Sequence, residues 1–148
     1  MKKRMIAVIG ILILICCSGC GNGNKKLTGK ITFPDGSPVP QGFVFFDSNT
    51  ANFQARGEIM QDGTYTVGSV TTNDGLPPGE YAVYVVSEKR GDGGRVPLVD
   101  QKYAAGTTSG IVCKVPAPKN QFDFTVEPFT GKIKGDPLKK IDIVATPQ

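Results

Sequence analysis

The chain has 148 residues, with 19 glycines, 11 prolines, no histidine and no tryptophan. Lys and Arg number 17 against 13 Asp and Glu, but Lys2, Lys3 and Arg4 lie in a segment expected to be removed, which leaves 14 against 13. This balance excludes the electrostatic footprint of nucleic-acid binding, the lack of histidine excludes Ser-His-Asp and Cys-His catalysis and the commonest zinc ligand, and the length suits one small domain.

The first elements are targeting signals. "MKKRM" is a cationic start and "IAVIGILILI" a short apolar core, too short for a stable membrane span. The core ends in Cys17-Ser18-Gly19-Cys20. A small residue before a cysteine at this point resembles the bacterial lipobox, with Cys17 standing where Leu is usual. That resemblance implies cleavage of a signal peptide, residues 1–19, and a Cys20 thiol carrying diacylglycerol, with a further acyl chain of the palmitate class on the new N-terminus. Cys16 and Cys17 fit worse, because bulky Ile15 or Cys16 would then sit at the cleavage site. The competing reading is an ordinary secretory signal or an uncleaved anchor. Several acyl chains on Cys20 would hold the protein firmly, since each buried methylene contributes about 0.8 kcal/mol.

Cysteine usage then follows. Cys16 and Cys17 leave with the signal and Cys20 is blocked, so only Cys113 remains and no disulfide within the mature chain is expected. Residues 20–26, the lipidated cysteine and "GNGNKK", read as a short flexible tether. Gly21 after Cys20, rather than Asp, points to the outer membrane where a cell has two membranes.

Short runs of period two come next. Leu27, Gly29, Ile31 and Phe33 alternate with Thr28, Lys30 and Thr32. Phe43 to Phe46 is apolar on both faces and reads as a central strand. Ala55, Gly57 and Ile59 oppose Arg56 and Glu58, and "QDG" turns them onto Tyr65 and Val67 as a hairpin. Tyr81, Val83 and Val85 share one face, as do Ile111, Cys113 and Val115 with Lys114 opposed. Phe122, Phe124 and Val126 alternate with Asp123, Thr125 and Glu127. Seven short strands separated by turn signals, with no helix outside the signal, predict an all-β, Ig-like or prealbumin-like sandwich of two sheets. Tyr65 and Tyr81 begin strands, where each ring packs inward and each hydroxyl reaches a loop carbonyl.

The ordered set "LTGKITFPDGSPVPQGFVFF", "GEIMQDGTYTV", "GLPPGEYAVYVV", "KYAAGTTSGIVCKV" and "NQFDFTV" resembles small bacterial lipoproteins with a carboxypeptidase regulatory-like, transthyretin-like domain. The resemblance covers about Leu27 to Val126. It implies a non-enzymatic sandwich on a lipid anchor at the bacterial cell envelope and transfers no catalytic residue. The domain is set at residues 27–127. Residues 128–148 form a C-terminal extension beyond the pattern.

No other motif carries a reaction. Cys113 sits at an inward strand position and reads as a buried, inert thiol. Asp35, Asp62, Asp74 and Asp92 lie in turns, where turn chemistry accounts for them better than an acid–base pair or a calcium loop. Lys30 and Asn120 are formal partners for a Lys–Asn isopeptide bond, but Lys30 alternates with apolar neighbours and is expected in solvent. Glu88 to Gly110 is the longest loop. "EKRGDGGR" is its freer part, and Tyr103 is pinned to the body. Arg90-Gly91-Asp92 matches an adhesion tripeptide but reads as a turn in a Gly-rich loop.

In the extension, Ile141 and Ile143 alternate with Asp142, and Val144 continues the run. This reads as an edge strand flanked by Lys132, Lys134, Lys139 and Lys140. The alternatives are a detachable arm for a partner's sheet edge and weak attraction to anionic envelope surfaces.

The expected role is a lipid-anchored structural or protein-interaction module without catalysis, cofactor or metal, whose partners are the membrane and other envelope proteins. The alternative is an extracytoplasmic ligand-binding module for a glycan or a weakly held calcium. The sequence identifies no binding residues, and an aromatic sugar platform is disfavoured by the absence of Trp and by only four Tyr.

Overall fold

Alternation of apolar and polar residues becomes strand wherever the sequence carries it. The computed structural model describes residues 23–131 apart from 51, 92 and 93. The signal peptide with Cys20, and the strand expected at Ile141 to Val144, lie outside the described residues.

Among the described residues nine strands form: β1 (Thr28–Thr32), β2 (Gly42–Ser48), β3 (Phe53–Ile59), β4 (Thr64–Gly68), β5 (Gly79–Val86), β6 (Glu88–Gly91), β7 (Gly94–Pro97), β8 (Ile111–Val115) and β9 (Phe124–Thr125). Seven of them are the expected runs, and they join in the order β8-β5-β2-β3-β4-β1-β9. The strand apolar on both faces, β2, is central, antiparallel to β3 on one side and β5 on the other. β9 lies parallel to β1, and its two-residue ladder is extended by Phe122 N–H to the Thr28 carbonyl and Val126 N–H to the Thr32 carbonyl, each 2.9 Å.

The inward registers are as the periodicity predicts. Ile31, Val44, Phe46, Val67, Tyr81, Val83, Val85, Cys113 and Val126 are all fully buried, while Lys30, Arg56, Glu58 and Lys114 are exposed. Three strands lie between β4 and β8 in the sheet order, which would separate them by about 19 Å in a flat sheet. Yet Tyr65 on β4 and Cys113 on β8 are buried in one and the same hydrophobic core. The sheet is therefore rolled over one interior, and this closes the β-sandwich.

Two Asp-Gly turns pin one end of the sandwich with the same chemistry. Asp35 accepts from the Ser37 N–H and hydroxyl at 2.9 and 2.6 Å, and Asp62 from the Thr64 N–H and hydroxyl at 3.0 and 2.6 Å. The turns are tied together through Ile31, whose N–H donates to the Gly63 carbonyl and whose carbonyl accepts from Val39.

Between Glu88 and Gly110 the structure differs from the expected loop. β6 and β7 pair as an antiparallel ribbon, Glu88 with Pro97 through Gly91 with Gly94. The polar composition hid it, because its pairing rests on main-chain groups rather than on an apolar face. A 3-10 turn (Gln101–Ala104), capped by the Asp100 carboxylate, and a single-turn helix α1 (Gly106–Ser109) follow. No helix was expected here, and α1 forms where the Ser109 hydroxyl donates to the Val83 carbonyl of β5 at 2.5 Å. Tyr103 is buried, as expected.

Candidate interaction surface

The residues with the most chemistry serve the framework. The Tyr81 hydroxyl donates to the Pro77 carbonyl at 2.8 Å and the Tyr65 hydroxyl to the Phe122 carbonyl at 2.5 Å. Burial raises the pKa of both phenols, and both hold their protons at neutral pH. Cys113 is fully buried, and desolvation pushes its thiol up to about 11, opposite to what a nucleophile needs.

Asp74 is held by four donors: the N–H groups of Ser69, Val70 and Thr71 at 2.7, 2.9 and 3.1 Å, and the Ser69 hydroxyl at 3.2 Å. These bonds lower its pKa, as the shorter sets do for Asp35 and Asp62. Each turn carboxylate thus fastens its own turn. Among the described residues no three acidic or thiol side chains group as for a metal ion.

Lys30 is exposed on β1, where its N–H donates to Asp123 Oδ1 at 2.8 Å. Asn120 lies in the 3-10 turn Pro118–Asn120 with φ 55°. Arg90 and Gly91 belong to β6, and Asp92 is outside the described residues.

The outward face of the sheet is different, with apolar and cationic groups in one area. Phe45 on β2 stacks on Tyr84 of β5 with centroids 4.8 Å apart and planes 9° from parallel. Phe43 lies 6.4 Å from Phe45 and carries the Arg56 guanidinium 5.4 Å over its ring. Phe43 is 39% exposed and Val112 on the same side 52%. α1 sits against this face, so that a side chain at Gly106 would meet Ala82 and Tyr84. The aromatic faces are thus already covered in part by an arginine, by each other and by α1, which leaves little platform for a sugar ring.

Beside Phe43 the β6–β7 ribbon encloses a cleft of about 600 Å³ with the start of β2. Its floor is Phe43 and Val86, directly paired across β2 and β5. Its wall carries Glu88, Lys89, Arg90 and Arg95. The ribbon is fastened at its base: the Ser87 hydroxyl donates to the Gln41 carbonyl at 2.6 Å, and the Gln41 amide donates back to the Glu88 carbonyl. Gly42 permits this approach, since a Cβ there would lie 2.5 Å from the Val86 carbonyl oxygen.

No protein-family model matches the chain, and no curated protein matches it. Among solved structures, a variant of BcpA, the major pilin subunit of Bacillus cereus, aligns with a TM-score of 0.45 at 13% identity. BcpA itself aligns at 0.42 and 12%, and both alignments cover 72% of this chain and 30% of the pilin subunit. A 9R-lipoxygenase from Cyanothece aligns at 0.35 and 14%, over 84% of this chain and 18% of that one. The chain thus spans less than a third of the length of each of these proteins.

The ribbon and its cleft are what sequence reasoning missed. One signal was present. The residues between the paired Gly91 and Gly94 are Asp92-Gly93, a dipeptide that favours two-residue hairpin loops. Its flanks are charged and glycine-rich rather than alternating, so the hairpin did not stand out from a turn.

Proposed function

We propose that the protein is a lipid-anchored β-sandwich of the bacterial cell envelope, of the carboxypeptidase regulatory-like kind, that acts as a structural or protein-interaction module rather than as a catalyst. Cys20 carries the lipid, residues 20–26 form the tether, and the domain stands outside the cytoplasm, at the outer membrane where the cell has two. The observation that carries the reading is a division of labour. Tyr65, Tyr81, Cys113, Asp35, Asp62 and Asp74 are buried or bonded into the framework, while among the described residues the ribbon, the outward face and the edge of β8 are left as surface. Chemistry needs free reactive groups, whereas association needs exposed apolar and charged area.

The anchor is tested by feeding cells an alkyne fatty acid. The wild type should take up the label and fractionate with membranes, and Cys20→Ser should do neither. A Cys20→Ser protein that still fractionates as the wild type would end the lipid reading. The module is tested by photo-crosslinkers placed at the exposed positions Val70 and Val112 in living cells. Discrete adducts are expected, and the absence of adducts at both positions would count against association.

A further inference from the structure

We infer that the cleft under the β6–β7 ribbon is a docking site for an extended acidic peptide segment of a partner protein, with Arg90 and Arg95 reading its carboxylates. The inference rests on the interaction-module reading and gives it a place and a ligand chemistry.

The first ground is a broken local rule. Arg90 and Arg95 are directly opposed in the antiparallel register of the ribbon. Like charges in that position repel, and an isolated ribbon gains nothing from them. Arg95 has Glu88 at 3.6 Å, but the two side chains are 84% and 36% exposed, so the pair is weak and open to competition. Among the described residues no carboxylate lies within ion-pair distance of Arg90. Two guanidinia facing one cleft are well suited to carboxylates, which they bind in a bidentate fashion.

The second ground is the balance of charge around the cleft. Lys89, Arg90 and Arg95 on the ribbon, with Arg56 over Phe43, face Glu88 and Glu58, the latter paired with Phe43 across β2 and β3. Among the described residues cations exceed anions here, and a ligand of opposite sign relieves the excess.

The third ground decides the class of ligand. The floor is apolar, with Phe43 exposed and Val86 half-buried, and it shares the cleft with the arginines. An extended peptide alternates its side chains, so acidic residues meet the wall while apolar residues meet the floor. An anionic glycan carries no alkyl side chains alternating with its acid groups, and the face of Phe43 that would stack on a sugar ring is occupied by Arg56. A cleft of about 600 Å³ accommodates a few residues of such a segment.

The test uses the full-length lipidated protein in detergent micelles and a synthetic peptide of alternating Glu and Leu. Binding is followed by fluorescence anisotropy at low salt. Arg90→Gln with Arg95→Gln should weaken binding at least about tenfold, whereas Lys114→Gln, on the remote exposed face of β8, should leave it unchanged. Because loss of the ribbon would imitate loss of the arginines, a charge swap completes the test. Arg90→Glu with Arg95→Glu should reject the Glu-Leu peptide and take up a Lys-Leu peptide. Equal affinity of wild type and Gln variant, no gain of Lys-Leu binding by the swap, or polygalacturonate binding as tightly as the peptide would each overturn the inference. Crosslinked adducts at Val70 or Val112 alongside such a failure would leave the module standing and remove only this site.

Discussion

The Tyr65 hydroxyl on β4 donates to the Phe122 carbonyl at 2.5 Å and does so directly over Gly29 of β1. A Cβ at Gly29 would lie 2.0 Å from that carbonyl oxygen and 2.5 Å from the hydroxyl. The bond joins β4 to the approach of β9 across β1, so it helps close the sandwich. Tyr65→Phe is expected to cost about 1–3 kcal/mol, since it leaves a buried acceptor without its donor. Gly29→Ala is expected to cost at least as much through overpacking. The two should couple: in the Tyr65→Phe background one of the colliding atoms is gone, and Gly29→Ala should cost less than in the wild type. Urea unfolding of the four proteins reads this, and strict additivity would contradict the shared position.

Cys113 gives a prediction at alkaline pH. Its pKa is raised from 9.0 to about 11 by desolvation. The folded state therefore holds the proton after the unfolded state has released it. The stability linked to this thiol is fully present below pH 9.0 and is lost as pH rises through about 11. The loss across that window is on the order of 2–3 kcal/mol. Cys113→Ala should flatten the decline between those limits, at the cost of a small cavity. In the native protein the thiol should resist labelling reagents until denaturant is added. Rapid labelling under native conditions would refute the inward register of Ile111, Cys113 and Val115.

At acid pH the turn carboxylates dominate. Asp74 is lowered from 3.8, first by the Ser69 N–H, then, against an opposing desolvation second in size, by the N–H groups of Thr71 and Val70 and the Ser69 hydroxyl. A depressed folded pKa contributes stability above the unfolded value, and that contribution disappears as pH falls through the folded one. Asp74→Asn should lower the melting temperature at neutral pH and should reduce the acid sensitivity below about pH 4. Melting curves of the two proteins at neutral and acid pH check this. Parallel shifts at every pH would mean that the charge of Asp74 contributes nothing.

Much of the framework was legible because burial imposes a period on the sequence. Ile111, Cys113 and Val115 could be assigned to one face from spacing alone, and so could Tyr81, Val83 and Val85. Tyr65 and Tyr81 could be expected to reach loop carbonyls because a phenol starting a strand has few other buried partners. The partners themselves were not legible. That Tyr65 meets Phe122, or that β9 runs parallel beside β1, follows from how the chain closes and not from any local pattern. The ribbon was missed for a related reason. Glu88 to Pro97 buries little, so its residues are free to be charged on both faces, and its order comes from main-chain pairing and from the distant Gln41.

The last prediction concerns the extension. Val99 bridges to Pro128, Phe129 N–H donates to the Leu98 carbonyl at 3.0 Å, and Asp100 N–H donates to the Glu127 carbonyl at 2.9 Å. The chain from Glu127 to Phe129 therefore runs beside the segment that follows β7, whose outer edge has no ladder partner among the described residues. An open edge of this kind is completed by a strand of β-branched residues and guarded by lysines, which is what Ile141, Ile143 and Val144 with Lys139 and Lys140 offer. On this ground the extension is expected to add an edge strand to its own domain. Truncation after Gly135 should lower the melting temperature by several degrees, as a loss of ~1 kcal/mol does in a domain of this size. The amides of Ile141 to Val144 should exchange slowly in the intact protein. If those amides exchange at the rate of free coil and truncation leaves the melting temperature unchanged, the extension is an arm for a partner's sheet edge and its own domain does not need it.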